Sequence, residues 1–596
     1  MRLRQRRTGL ALKLETALKY DYVIVGGGSA GCVLAARLSE DPAVRVCLLE
    51  AGPADKSILI HVPAGLALMA KSNQANWALS TVPQAGLNGR RGYQPRGKVL
   101  GGSSSVNAMV YIRGHRSDYD SWAAQGNPGW SYADVLPYFK RAEHNERGAD
   151  GFHGTGGPLN VMDLRSPNRF GQYFIEAAKQ SGYSYNPDFN GAEQEGVGSY
   201  QVTHRNGERM SAAKAYLTPL LNPVAGQAAR SNLTVITDAL ATRILLEDKR
   251  AIGVEYRRAG ATEIARAERE VLVCGGALLS PQLLMLSGIG PAEHLKSIGI
   301  PVVCDSAGVG AQLHDHVDVV QVYESAANTD LFGLSFGGAV NVVKGIFEWR
   351  DRRSGMLTTN FAEAGGFTRS SPELAAPDLQ FHFVIAKLVD HGRSTQFGHG
   401  FSCHVCLLHP KSRGSVRLQS ADPAQPPAID PNFLAEREDM EKLIIGFRKM
   451  REIFNAPAMA PYRGAELFSA DAQSDAQIEA FIRKTADTIY HPVGSCRMGP
   501  KDSDPLDSQL RVKGVQGLRV VDASMMPSVV AGNTNAPVIM IAEKIADLIR
   551  GRSPGLSGSV ELSFDLDQPV LDQPIMDQIS SAPAGSTQAG SMPTQL

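Results

Sequence analysis

Apolar and polar positions alternate in two different rhythms along this chain. Residues 22–25 and, apart from Arg45, 44–49 are short apolar runs, the pattern of strands buried on both faces, and a helical period fills the gap between them. Residues 233–236, 239–246, 252–256 and 270–273 alternate like strands. Residues 271–276 (VLVCGG) then lead into ALLSPQLLMLSGIG, a helix with a glycine stop. Helices are also predicted over 132–143 and 170–181. Beyond Phe332 the βαβ rhythm is lost: residues 376–384, 401–408 and 415–418 read as strands, 439–454 and 474–486 as helices. A last strand, 518–521, precedes a helix starting at about Pro537. The fold class is α/β with α+β character: a Rossmann-like nucleotide-binding domain and a discontinuous substrate domain built on an antiparallel sheet with helices. The predicted division is an extension over 1–19, nucleotide-binding parts over 20–165, 231–316 and 490–552, substrate-domain parts over 166–230 and 317–489, and a disordered Ser/Pro/Gly/Gln-rich tail over 553–596.

Composition narrows the class. A chain of 596 residues with 43% hydrophobic and 20% charged positions is globular and too long for one core. Sixty basic residues balance sixty acidic ones, which excludes the basic field a nucleic-acid partner needs. Seven scattered cysteines indicate a reducing, cytoplasmic setting without a disulfide framework. No apolar run is long enough to span a bilayer. The basic start, MRLRQRRTGLALKLETALKY, has too short an apolar piece for a signal segment and reads as a solvated extension. A peripheral contact with the inner face of a membrane stays open, with no obvious amphipathic anchor.

The chemistry begins at residues 26–31, Gly-Gly-Gly-Ser-Ala-Gly, a G-x-G-x-x-G between a strand and a helix. Gly26 makes the tight turn, Gly28 lets a pyrophosphate approach bare backbone, and Gly31 lets the helix pack close to the strand. Glu50 ends the next strand, where a carboxylate accepts from ribose hydroxyls. Near the other end, His491 sits in a proline–glycine turn, HPVGSCRMG, with an unperturbed pKa suited to proton abstraction. A second piece there is VDAS followed by GNTNAP, whose helix points its positive N-terminus at whatever lies before Asn535.

Four stretches together, VIVGGGSAGCVLAARLSE with LLEAG, GKVLGGSSSVNAMVYIRG, GGALLSPQLLMLSGIGP, and HPVGSCRMG with VVDASMMPSVVAGNTNAPVIMIAEKIAD, resemble the glucose–methanol–choline (GMC) family of FAD-dependent oxidoreductases. The resemblance covers about residues 21–549. It implies an FAD domain and a separate substrate domain. It implies FAD contacts from Gly26, Gly28, Ser29, Ala30, Gly31, Glu50 and Ala51 at the first turn. From the second stretch it implies contacts by Val99, Gly102, Ser103, Asn107, Ala108, Met109 and Val110, with Asn107 near the flavin ring. Ala241 falls on the adenine side, Asp522 with Ala523 near the ribityl–phosphate portion, and Asn535 with Pro537 at the pyrimidine edge. His491 and Asn533 take the catalytic positions, and which of them is the base is open. Val106 stands where some members link flavin through histidine, so FAD is expected to be non-covalent.

Residues 360–367 and 401–406 resemble the branch acting on aliphatic primary alcohols and, less closely, choline dehydrogenases. The implied reaction oxidises a primary alcohol to an aldehyde by hydride transfer to flavin N5, with electrons passed to a quinone or another acceptor. Glu363 matches a carboxylate that binds cationic substrate in choline-type enzymes; pairing with a nearby arginine is the equal alternative. A choline or polyethylene-glycol dehydrogenase, or an oxidase, are relatives of the same reading. A hydroxynitrile lyase with FAD as structure is the non-redox rival, and a flavin-free NAD-binding protein a third. Ala362 and His382 argue against the photodecarboxylase branch. No metal is expected, because Cys403 and Cys406 face opposite sides of a strand. His314-Asp315-His316 reads as a structural loop motif. Oligomeric state is open.

Overall fold

The computed structural model describes residues 18–223, 228–325, 330–394 and 396–552; the basic start over 1–17 and the tail over 553–596 lie outside the described residues. In chain order the elements that build the site are β1 (Leu18–Val25), α1 (Ser29–Leu38), β2 (Val46–Leu49), α2 (Tyr132–Ala142), α3 (Arg169–Gln180), β3 (Gly196–Ser199), β4 (Leu233–Ile236), β5 (Leu240–Glu247), β6 (Arg250–Arg258), β7 (Ala261–Val273), α4 (Gly276–Leu286), β8 (Val317–Glu324), α5 (Phe336–Arg352), β9 (Ala362–Thr368), β10 (Leu379–Val384), β11 (Gly398–Leu407), α6 (Arg437–Asn455), α7 (Asp475–Thr485), β12 (Leu518–Val520) and α8 (Asn535–Ile549).

The first sheet holds a parallel unit in the order β4-β2-β1-β7-β12. Its register places Tyr22 opposite Val46 and Val23 opposite Val271. The paired central segments 22–25, 46–49 and 271–273 are apolar because both faces are covered there. The first half of β7 pairs antiparallel with β6, and β6 with β5, so a three-stranded meander grows from the same sheet. The turn after β1 needs its glycines. Gly26 has φ +101°, and a Cβ on Gly31 would lie 1.9 Å from the Gly26 carbonyl oxygen. A buried ion cluster locks the helices above the turn: Glu543 of α8 accepts from Arg37 of α1 at 2.8 Å, from Arg141 of α2 at 2.7 Å and from the Tyr216 hydroxyl at 2.8 Å. Burial alone would raise the Glu543 carboxyl, but the two guanidiniums outweigh it and hold it low.

The second sheet is antiparallel, in the order β8-β11-β10-β9-β3. Here α3 and α6 cover one face with aromatic packing, Phe174 stacking on Phe383 at 4.8 Å. Each sheet has its own core.

Three expectations need correction. Residues 210–221, assigned to the substrate domain, bury Met210, Tyr216 and Leu217 in the core of the first sheet. The last helix begins at Asn535, two residues before Pro537, with Thr534 at its N-cap. The helix α5 has no counterpart in the predicted elements. Three glycines and three valines give it poor intrinsic propensity. It is held by the Ser335 cap on the Gly338 N–H at 3.0 Å and by the buried side of Gly345 and Trp349.

Candidate active site

A cavity of about 1010 Å³ runs between the carboxyl edge of the parallel strands and the antiparallel sheet. That is the upper end of the roughly 300–1,000 Å³ usual for ligand sites. The carboxyl edge of a parallel sheet is where such folds bind nucleotides.

At this edge the first turn is built as a cradle. A Cβ on Gly28 would meet only the Gly102 Cα, at 4.0 Å, so the backbone there faces open space. Glu50 accepts from the Gly27 N–H at 2.8 Å and the Gly52 N–H at 2.7 Å. Burial pushes its carboxyl up to about 7 against those two donors. The Ser29 hydroxyl donates to Asn535 Oδ1 at 2.7 Å, tying the N-terminus of α1 to that of α8, so two positive helix ends converge on the cavity. Asp522, two residues past β12, accepts from the Gly276 N–H at 2.9 Å, the Ser524 N–H at 2.8 Å and the Ser280 hydroxyl. Asn107 is fixed by Arg209, a fully buried cation that donates to its backbone oxygen at 2.6 Å and to its side-chain oxygen at 2.8 Å.

The far end is organised by a chain of hydrogen bonds with one consistent set of protons. The Leu408 carbonyl can only accept, so His316 donates to it from Nε2 at 3.0 Å. Burial drives the His316 ring down to about 3, so it is neutral and its Nδ1 carries a lone pair. His491 lies 3.0 Å away, Nδ1 to Nδ1, and therefore donates that proton. Burial first, then His316 and His382, push the His491 pKa well below its ordinary value, so this ring is neutral too. Its Nε2 is left with a lone pair, which accepts from Asn533 Nδ2–H at 3.2 Å. Gln380 of β10 donates to Asn533 Oδ1 at 3.4 Å and fixes that amide the same way round. The result is an unprotonated imidazole nitrogen paired with an amide N–H in the cavity wall. The backbone is held as tightly: Asp315 accepts from the His491 N–H at 2.8 Å, and Arg96 binds the Tyr490 carbonyl at 2.9 Å while Tyr490 adopts φ +76°.

Of the residues singled out from sequence, Gly26, Gly28, Ser29, Ala30, Glu50, Ala51, Gly102, Ser103, Asn107, Ala108, Met109, Val110, Ala241, His491, Asp522, Ala523, Asn533 and Asn535 line this one cavity. Gly31, Val99, Pro537 and Glu363 do not. Gly31 serves the strand–helix contact, and Val99 packs with Ile60 and Met69. Pro537 is inside the helix, at its third residue. Glu363 is off the cavity lining: its oxygens take the Asn168 N–H and the Thr359 hydroxyl, both at 2.5 Å, and no arginine among the described residues pairs with it, the alternative to a substrate role. Sequence reading missed Gln380, Arg96 and Arg209, and took His316 as merely structural. His316 meets His491 across 175 positions of sequence, a contact no local pattern encodes.

The N-terminal model of the GMC oxidoreductases matches residues 20–318 and the C-terminal model matches 410–542. The chain belongs to the GMC oxidoreductase family. Among its relatives, an "Alcohol dehydrogenase [acceptor]" of Pseudomonas putida is 48% identical over 89% of this chain and 95% of that protein. A "Choline dehydrogenase, mitochondrial" of Homo sapiens is 46% identical over 93% of this chain and 92% of that protein. A solved pyridoxine 4-oxidase superposes with TM-score 0.80 at 33% identity, over 89% of this chain and 99% of the other. A formate oxidase of Aspergillus oryzae superposes with TM-score 0.82 at 27% identity, over 90% of this chain and 98% of the other. GMC oxidoreductases bind FAD, so this chain is an FAD-dependent oxidoreductase. The cavity fits that cofactor: an open glycine cradle and two helix ends suit its pyrophosphate, and Glu50 suits a ribose. No helix among the described residues is long and apolar enough to cross a membrane.

Proposed function

We propose that this protein oxidises a primary alcohol with an apolar chain to the aldehyde, with electrons leaving to an acceptor such as a quinone. Gly28, Glu50, Asn107, Asp522 and Asn535 hold FAD without a covalent bond. Bound FAD supplies the hydride acceptor. The alcohol hydroxyl replaces the His491–Asn533 hydrogen bond, donating to the unprotonated Nε2 and accepting from the amide N–H. His491 takes the hydroxyl proton as the carbon loses hydride, and Asn533 holds the oxygen as charge develops on it. The assignment of His491 as base follows from the hydrogen-bond chain, which leaves the lone pair on histidine and only a donor on asparagine.

The observation that carries the substrate class is the lining. Among the described residues, the carboxylates on the cavity wall are Glu50 and Asp522, both at the carboxyl edge of the parallel sheet. The part beyond His491 is walled by apolar side chains such as Leu66, Phe332, Val384 and Leu388. A quaternary ammonium would find no counter-charge there, because Glu363 is buried in its own hydrogen bonds. The 48% identical relative named for alcohol and an acceptor supports the same reading. Anaerobic mixing of the purified flavoprotein with 1-alkanols, glycol ethers, benzyl alcohol and choline tests it. Bleaching is expected with medium-chain 1-alkanols. Bleaching by choline alone would replace the substrate class, and no bleaching by any alcohol would favour a non-redox role.

A further inference from the structure

The helix α5 has its apolar stripe on the wrong side for a protein core. Phe336, Val340, Val343 and Phe347 follow the i, i+4, i+7, i+11 spacing of one helical face. All four are exposed, Phe336 at 89% and Phe347 at 51%. The buried side is the opposite one, where Gly338, Gly345 and Trp349 sit and the Trp349 indole donates to the Gly207 carbonyl at 2.7 Å. Between the two sides, Val342 and Ile346 line the cavity. The exposed stripe is therefore continuous with the cavity mouth. Leu334 and Phe397, 50% and 80% exposed, bridge to each other beside the start of the helix, and Leu68, 61% exposed, also lines the opening. Nine of the thirteen large hydrophobic residues exposed among the described residues surround this one mouth. Concentrated patches of this kind mark interaction surfaces.

We propose that this face docks on an anionic lipid surface, so that the cavity opens towards the membrane and takes its alcohol, and meets a lipid-soluble acceptor, there; this rests on the alcohol reading above. Lys344 and Arg350 flank the stripe, and Lys71 and Lys387 stand at the opening. The two acids of α5 leave this face net basic against those four cations: Asp351 pairs with Arg350 at 2.7 Å, and Glu348 accepts from the Ser354 hydroxyl at 3.1 Å. Basic groups around an apolar helix face are the arrangement of an interfacial helix, with long side chains reaching headgroups. A second copy of the chain seated on the stripe would cap the mouth bounded by Val342 and Ile346. A lipid surface leaves the mouth open to molecules that partition into it.

The test is co-sedimentation of the full-length holoenzyme with vesicles of phosphatidylcholine containing phosphatidylglycerol, and with phosphatidylcholine alone. The comparison variant is Phe336→Ser with Phe347→Ser, neither of which lines the cavity. The wild type is expected to bind the anionic vesicles at least about tenfold more strongly than the variant, and the neutral ones less well. Reduction of the flavin by a short, water-soluble alcohol is expected to be the same in both proteins. Equal sedimentation of the two, or none by the wild type, overturns the proposal. So does light scattering that shows a wild-type dimer lost in the variant without vesicle binding. Bleaching without vesicle binding refutes the docking and leaves the alcohol reading standing, whereas vesicle binding without bleaching does the reverse.

Discussion

Replacing His316 by Phe isolates the proton order of the site from its shape. Phenylalanine fills a similar volume but cannot accept from His491 Nδ1–H, which now has His316 Nδ1 at 3.0 Å. A buried donor left without a partner costs about 1–3 kcal/mol. His491 can avoid that cost by moving its proton to Nε2. In that tautomer the cavity side presents an N–H in place of the lone pair, and the ring cannot take the hydroxyl proton. The competent tautomer then has to be reached against that same 1–3 kcal/mol, which corresponds to a fall of roughly 5- to 150-fold in the rate of the chemical step. Stopped-flow bleaching of the flavin under anaerobic conditions reads that step directly. The alcohol concentration giving half-maximal rate is expected to change little, because Asn533 still binds the oxygen. His316→Gln, which offers a side-chain carbonyl in the same direction, is expected to recover part of the rate. Full-speed bleaching by the Phe variant with FAD bound would refute the tautomer argument.

Other consequences are independent of that chain. Gly28→Val adds a side chain that points into open cavity, so the protein is expected to fold and purify colourless, with FAD uptake reduced at least tenfold. Gly31→Val instead drives a Cβ into the Gly26 carbonyl, and loss of folded yield on expression is the expected result. Glu363→Gln keeps the Asn168 N–H on its one oxygen and reverses the Thr359 contact, the amide N–H donating to the hydroxyl, and is expected to leave the alkanol rate within about threefold, where a substrate-binding carboxylate would lose far more. The same variant carries a pH signature: burial first, against the Thr359 and Asn168 donors, lifts Glu363 to about 7, above its ordinary 4.5. The folded state thus holds this proton more tightly than the unfolded chain, so its contribution to stability is full below about 4.5 and is lost as pH rises through 7; the Gln variant should show a flatter denaturation midpoint across that window. His153 has the same sign at higher pH. Burial lowers it, but Asp188 and Glu143 outweigh burial and raise it to about 9, so its contribution is full below about 6.5 and is lost through 9. His153→Gln should remove that alkaline loss in thermal melts followed across the same range.

Much of the first domain is readable from local pattern because its parts are local. The strands at 22–25 and 46–49, the glycine turn and Glu50 fall within one βαβ unit, where apolar run, turn and helix are consecutive in sequence. The helix over 276–286 ends at Gly288 with φ +82°, as its glycine stop implies. What stays hidden is whatever depends on distant partners. Strand β9, AEAGGFT, has too many glycines to look like a strand, yet Gly365 and Gly366 are needed where Tyr200 and Val197 press against them. Helix α5 hides for the complementary reason: its apolar stripe faces outward, and its glycines face the body of the protein. His491 and Asn533 come from a resemblance. Their proton order comes from Leu408, His316 and Gln380, which only the folded sheet brings to them. Glu363 shows why a position alone does not carry a role: it sits in the β-bulge between Ala362 and Ala364, off the cavity lining, with its oxygens on Asn168 and Thr359.

The pairing of His491 with Asn533 over one bound FAD is tested most directly by anaerobic mixing of a 1-alkanol with wild type and His491→Ala, each purified with its flavin. The variant is expected to keep FAD, because His491 holds none of the cradle, and to bleach at least about 10²-fold more slowly than wild type. Bleaching of the variant at the wild-type rate would contradict the account.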